Sequence, residues 1–452
     1  MGKWDHWVDA ALVNLVARRL DKFSKPVWLD MSCNDGEVES FSEPGPWDRS
    51  AVEIKMEGPS LSKWLSYLPK MGNETSTKFL NDRQNMLLFS GNDYLCLSSH
   101  PAVRKAASSA SLEHGMGPRG SALVCGNTSY HESVASALAT LTKKEACVLC
   151  PTGFAANVAF LVTVGNIITL LSTSKKKPPV HEQVAIFSDE FNHASIIDGI
   201  RTAEKQGEAR LFVYRHCDVS HLEHLLSTCS MEKKLVITDS LFSMDGDFAP
   251  LPELAALRRK HGFLLAIDDA HGTLVCGENG GGVAEWYGCE NDVDIVIGCI
   301  SKAIGTLGGF IACSNKWKQL IESRGRSFIY TTTIPVPIVA ASNAALMVAR
   351  KEKWRKETLW KRVNDFRKLT GLDIKSPIIS VVVGDEKTAL IACRHLLISG
   401  FFIVSVLPPI VPPNSCRLRI TLTCAHTTED IRRLVKALLP FIKPLQTVSS
   451  KM

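Results

Sequence analysis

From Leu87 onward, short apolar runs of strand length alternate with segments whose apolar residues recur every three or four positions. The runs Val184–Phe187, Leu211–Tyr214, Leu235–Thr238, Phe263–Ile267 and Ile295–Gly298 predict strands. Val219–Cys229 and Pro252–His261, between them, predict helices. Continuous apolar strands separated by helices predict an α/β fold whose mostly parallel sheet is covered on both faces. After Pro335-Val336-Pro337 one long helix is predicted over Ala340–Val363. A smaller α/β module follows, with strands at Pro377–Val383, Phe402–Val406 and Arg417–Leu422 and a helix at Lys387–Ser399. Its last helix, Thr428–Ile442, takes Thr427 or Thr428 as N-cap and carries Glu429 and Asp430 in its first turn. Residues 1–85 read as an irregular arm that opens with helical spacing over Trp7–Leu20, and Ser172–Pro179 reads as an inserted polar loop. The expected organisation is an arm (1–85), a large domain (86–335) and a small carboxyl-terminal domain (336–452).

Composition narrows the function classes. Hydrophobic residues are 45% and charged residues 22% of the 452, which excludes a disordered chain, a coiled coil or a collagen. The net charge is 52 − 46 = +6, and no run of like charge is longer than Lys175-Lys176-Lys177, so no nucleic-acid partner is expected. The 14 cysteines are an ordinary fraction of this length, no secretory leader is expected, and reduced thiols follow. Cys147 and Cys150 form a CxxC in an apolar setting without a second one, so they read as buried packing and not as a metal site. The longest apolar stretch, Val158–Leu171, contains Gly165 and Asn166 and falls short of the roughly 20 residues a membrane helix needs. Gly115–Gly120 matches GxGxxG in form, but it follows a helical pattern and not a strand, so it fails as a dinucleotide site.

The chemistry concentrates at strand ends. Leu235–Thr238 runs into Asp239 and on to Phe242-Ser243-Met244-Asp245-Gly246-Asp247. Phe263–Ile267 runs into Asp268-Asp269-Ala270-His271, and Ile295–Gly298 into Cys299-Ile300-Ser301-Lys302. In a parallel sheet these ends share one rim, where ligands bind. A lysine after a buried strand is poised to lose its proton and form a Schiff base. An aspartate on the neighbouring strand holds a pyridinium nitrogen protonated, and that pair is what pyridoxal phosphate requires. Its phosphate needs backbone N–H groups at a helix start, which Thr152-Gly153-Phe154 offers. His193, after another strand, is placed to stack on a flat ring.

Read together, Phe89–Leu95, Pro151–Asn157, Asn192–Ser195, Phe242–Asp247, Asp268–Gly272, Ser301–Ala303 and Arg417–Thr423 resemble the α-oxoamine synthase family of class-II, fold-type-I pyridoxal-phosphate enzymes. The resemblance spans about residues 86–445 in unbroken order. It implies an acyltransferase that condenses an amino acid with an acyl thioester and releases carbon dioxide. The insertion near Lys175–Glu182, the long arm and the run Val213–Asp218 resemble the plant branch that uses L-alanine and pimeloyl-CoA in biotin formation. Branches that use glycine or serine with other thioesters, and a non-catalytic partner subunit, are the alternatives.

The resemblance also implies residue roles. Lys302 is the Schiff-base lysine and acid/base, Asp268 pairs with the pyridine nitrogen, His271 with the ring hydroxyl, and His193 stacks on the ring. Gly153, Phe154 and Ser243 hold the cofactor, Arg419 grips the amino-acid carboxylate, and Asn92 and Ile410 border the substrate. A homodimer is implied, with Thr332 reaching the neighbouring subunit's phosphate. Three positions depart from the family: Cys299 stands for a phosphate-binding Thr, Cys96 for Gly, and Ile410 for Thr in the substrate loop. No metal is expected. The tail Ser450-Lys451-Met452 differs from the peroxisomal address Ser-Lys-Leu only in its last residue and predicts a peroxisomal location, or a cytosolic one without it.

Overall fold

Strands form wherever aliphatic and β-branched runs can be buried on both faces. A computed structural model describes residues 28–29, 41–71, 83–171 and 183–442; of 28–29 and 168–171 only the backbone is described. The predicted helix at Trp7–Leu20, the loop at Ser172–Pro179 and the tail Ser450–Met452 lie outside these residues.

The strands, in chain order, are β1 (Trp28–Leu29), β2 (Glu53–Glu57), β3 (Arg83–Leu88), β4 (Ala146–Cys150), β5 (Val184–Asp189), β6 (Ala209–Tyr214), β7 (Lys234–Asp239), β8 (Leu264–Asp268), β9 (Ile295–Cys299), β10 (Gly309–Cys313), β11 (Ile378–Gly384), β12 (Phe401–Phe402), β13 (Val404–Val406) and β14 (Cys416–Thr421). Seven of them form the main sheet in the order β4-β10-β9-β8-β7-β5-β6. β5 to β9 are mutually parallel, and β10 alone runs antiparallel, between β4 and β9. The sheet is therefore mostly parallel.

Alternation along each strand feeds two cores. Ile186, Leu235, Ile237, Ala266 and Ile297 face one layer, where Phe160, Leu161 and Val164 of the helix Gly153–Leu171 pack. Phe187, Val236, Leu265, Ile267 and Val296 face the other layer. Cys147 and Cys150 are buried in β4, and every described cysteine is a free thiol. No helix among the described residues is long and apolar enough to cross a membrane.

Three sequence expectations need correction. The long helix over Ala340–Val363 is two helices, Val336–Lys351 and Trp354–Thr370. The break turns Glu352 inward, where Oε2 accepts from Arg355 Nε at 2.7 Å and Oε1 lies 3.3 Å from His100 Nε2. Arg355 reaches on to Asp48 at 2.6 Å, and all three charged residues are buried. The strand at Phe402–Val406 is divided between two sheets: β12 pairs with β3, and β13 with β14. The arm is not irregular throughout. β2 pairs antiparallel with β3, which also holds β12, so residues 53–57 share a sheet with residues 401–402. The second sheet of the carboxyl-terminal region is β11-β14-β13. The last helix is Thr428–Leu438, capped by Thr427, whose hydroxyl and the Asp430 carboxylate satisfy each other's backbone N–H groups.

Candidate active site

The carboxyl ends of β5, β7, β8 and β9 lie along one edge of the main sheet. Asp239 ends β7 and Asp268 ends β8, directly opposite each other in the ladder. Cys299 ends β9, three residues before Lys302. His193 follows β5 and caps the helix Ala194–Lys205, with Nδ1 accepting the Ser195 N–H at 3.2 Å. The helix Gly153–Leu171 begins one turn after β4 and aims its first N–H groups, which no helical carbonyl can satisfy, at the same edge.

One cleft joins these ends. Gly153, Phe154, His193, Ser243, Asp268, His271, Cys299 and Lys302 all line it, as the sequence predicts. Arg419, on β14, reaches its border: Nε donates to the Ser243 carbonyl at 2.6 Å and Nη2 to Asn92 Oδ1 at 3.3 Å. Two of its five donors are thereby fixed. Thr332 and Ile410 stand apart from the cleft of this chain, both exposed.

Several partners escaped the sequence reading. Asn157, one turn into the helix from Gly153, donates to Asp268 Oδ2 at 2.6 Å and to Ser195 Oγ at 2.9 Å. The Tyr94 hydroxyl lies 2.7 Å from His271 Nδ1. Asp239 is a second buried carboxyl in the cleft. The signal was present for Asp239, because two predicted neighbouring strands both end in an acid. For Asn157 it was the i, i+4 spacing from Gly153.

Electrostatics follows burial. Burial draws the Lys302 pKa below that of an ordinary lysine, against the pull of Asp268, Cys299 and Asp239. Burial, reinforced by the charges of Lys302 and Arg419, holds His271 neutral. With Tyr94 on Nδ1, its other nitrogen is left to the cleft. Burial also lowers the His193 pKa, with Asp268 opposing. Asp239 is raised well above the carboxylate range, first by burial and then by the charge of Asp268. The Tyr94 hydroxyl is raised to about 12 by burial, with Arg419 opposing. The cleft therefore holds a poised amine, two neutral imidazoles and a carboxylate–amide pair.

Two features of the cleft bear on its fit to pyridoxal phosphate. Asn157 Oδ1 is buried without a hydrogen-bond partner, a vacancy unusual in a finished core. A Cβ on Gly153 would stand 3.2 Å from Cys299 Sγ, so glycine keeps that corner open for an anion. Both observations fit a flat, phosphate-bearing ligand. Among the described residues one group has metal-ligand spacing, Asp189, His216 and Cys217. Both nitrogens of His216 are hydrogen-bonded to carboxylates there, Asp189 at 3.0 Å and Asp247 at 2.9 Å.

Comparison with known proteins agrees with this geometry. The sequence model of the family "Aminotransferase class I and II" matches residues 84–438. The 8-amino-7-oxononanoate synthase of Arabidopsis thaliana is 55% identical over 454 residues, covering 96% of this chain and 94% of the relative. That of Alkalilimnicola ehrlichii is 38% identical, covering 79% of this chain and 88% of the relative. The solved serine palmitoyltransferase of Sphingomonas wittichii superposes with a TM-score of 0.70 at 28% identity, covering 78% of this chain and 86% of that one. With a match over most of its length and the cleft that goes with it, the chain belongs to the aminotransferase class I and II family.

Proposed function

We propose that this protein uses pyridoxal 5'-phosphate to condense L-alanine with pimeloyl-CoA, giving 8-amino-7-oxononanoate, coenzyme A and carbon dioxide, a step of biotin biosynthesis. The observation that carries the reading is the meeting of Lys302, Asp268, His193 and His271 in one cleft, in a chain 55% identical to a synthase of that name.

When bound, the cofactor supplies an electron sink for the carbanion formed at the α-carbon of alanine. The protein's residues do the rest. The N–H groups of Gly153 and Phe154 would bind its phosphate at the helix start. Asp268, held by Asn157, would keep the ring nitrogen protonated. His193 would pack against the ring, and His271 would offer its free nitrogen to the ring hydroxyl. Arg419 orients the alanine carboxylate through a charge-assisted pair. Lys302, with its lowered pKa, takes the α-proton and later returns one to the same carbon.

Exposed Tyr330, Leu123 and Val124, with Thr332 nearby in the chain, support a second copy of the protein as the partner that covers this surface. The tail Ser450-Lys451-Met452 supports a peroxisomal address, and a fluorescent fusion that stays cytosolic would dismiss it. The function itself is tested by product assay. Pimeloyl-CoA with L-alanine gives 8-amino-7-oxononanoate, whereas turnover only with glycine, serine or other thioesters contradicts the reading.

A further inference from the structure

His216 lies outside the cleft, and both of its ring nitrogens are hydrogen-bonded to carboxylates. Nδ1 is 3.0 Å from Asp189 Oδ1, and Nε2 is 2.9 Å from Asp247 Oδ2. Between two carboxylates both nitrogens carry protons, so the ring is an imidazolium. Its faces and edge are packed too: Phe191 stacks on it at 4.5 Å, and Phe242 meets it edge-on at 4.5 Å. Burial opposes the charge, but the hydrogen bonds that His216 donates to Asp189 and Asp247 outweigh it and push the pKa up to about 12.

The anchor side is rigid. Asp189 ends β5, its side chain is 1% exposed, and it also accepts the N–H groups of Phe191 and Cys217 at 2.9 and 2.8 Å. Cys217 takes φ +53, a conformation that a non-glycine residue holds only where its surroundings impose it. The strain turns the chain so that His216 points back across the sheet edge. The far side is looser, for Asp247 is 33% exposed.

Asp247 closes the turn Phe242–Asp247, in which the Phe242 N–H donates to the Asp247 carbonyl at 3.0 Å and the Gly246 N–H to the Phe242 carbonyl at 2.9 Å. That turn joins the main sheet to the carboxyl-terminal region. Its Ser243 carbonyl accepts from Arg419, its Asp245 pairs with Arg417, and Gly246 presses so close to Ile378 that a Cβ there would stand 2.0 Å from a carbonyl.

We propose that His216 is a positioning residue for amino-acid recognition: by tying Asp189 to Asp247 it fixes the turn whose Ser243 carbonyl orients Arg419. The inference rests on the reading of Arg419 as the carboxylate-binding group.

The test uses the cofactor-loaded full-length protein and two variants, His216→Gln and the milder Asp247→Asn. Binding of L-alanine and of ethylamine, which lacks the carboxylate, is followed through the visible spectrum. Hydrogen exchange at amides 243–247 is followed in the ligand-free protein. The expected result is a loss of alanine affinity of roughly tenfold or more in His216→Gln, the size of one lost charge-assisted hydrogen bond, with ethylamine unchanged. Asp247→Asn shifts in the same direction by less. Amides 243–247 exchange faster in both. Unchanged exchange in both variants overturns the proposal, as does equal weakening of alanine and ethylamine. If the unaltered protein does not prefer alanine to ethylamine, the reading of Arg419 fails, and the exchange measurement still decides whether His216 fixes the turn.

Discussion

The side-chain amide of Asn157 donates to Oδ2 of Asp268 across 2.6 Å, linking the helix that would seat a phosphate to the carboxylate that would hold a ring nitrogen. The same amide nitrogen reaches Ser195 Oγ, beside His193. Asn157 thus sets the orientation of Asp268 relative to both other sides of the cleft. Asn157→Ala removes a hydrogen bond to a charged group, worth about 1.5–3 kcal/mol. Cofactor affinity, measured by absorbance titration, is expected to fall by about one to two orders of magnitude. The fold, followed by far-ultraviolet circular dichroism, is expected to stay.

Cys299 tests the phosphate end. Its Sγ lies beside Gly153 and 3.0 Å from Ser301 Oγ. A thiol is a weak hydrogen-bond donor. Cys299→Ser substitutes a stronger donor of nearly the same shape, and about 0.5–1.5 kcal/mol is expected from one added hydrogen bond. Equilibrium dialysis should show cofactor bound several-fold more tightly, and off-rates slowed in proportion.

Arg355 carries the stability of the junction between the arm and the helix pair. It is 0% exposed and bridges Asp48 at 2.6 Å and Glu352 at 2.7 Å. Arg355→Ala strands two buried carboxylates, which costs about 3–5 kcal/mol. Urea unfolding should show a free energy lowered by that amount and a correspondingly lower midpoint. Asp48→Asn together with Arg355→Ala should recover part of it.

His426 gives the protein an acid limit. It stacks on Phe89 at 4.0 Å, accepts the Thr423 N–H at 2.9 Å and lies 3.1 Å from the Leu88 carbonyl. Burial lowers its pKa to about 3. The unfolded chain binds the proton near pH 6.5, the folded protein only near pH 3, so stability falls as the pH drops between those values. Asp269, raised to about 6 chiefly by burial, works in the opposite direction between about pH 6 and 4. The comparison is therefore made between variants: the melting temperature of His426→Gln should rise relative to that of the wild type as the pH drops from 6.5 to 4, since the Asp269 contribution is common to both.

The main sheet and most of the cleft were legible because burial on both faces writes continuous apolar runs, and each run ends where side chains turn reactive. Lys302, Asp268, His271, His193 and Gly153 all stand at such boundaries. What escaped was written in tertiary contacts. The helix break at Glu352 lies in the charged run Arg350–Lys356, which has no glycine or proline and reads as a solvated helix face. Only the distant Asp48 and His100 explain why Glu352 and Arg355 turn inward. β10 is five residues long and antiparallel to its neighbours, so no helix announces it. β2 and β3 sit in a segment of polar texture, and the pairing of β3 with residues 401–402 has no local signature. Tyr94 meets His271 from 177 residues away.

In the proposed reaction Lys302 carries the cofactor and moves the proton. Borohydride reduction of the cofactor-loaded protein, followed by peptide mass spectrometry, shows which lysine holds the cofactor. The expected result is a reduced cofactor adduct on Lys302 alone, absent from Lys302→Ala, which keeps its fold and loses turnover. An adduct on a different lysine, or wild-type turnover in Lys302→Ala, would contradict it.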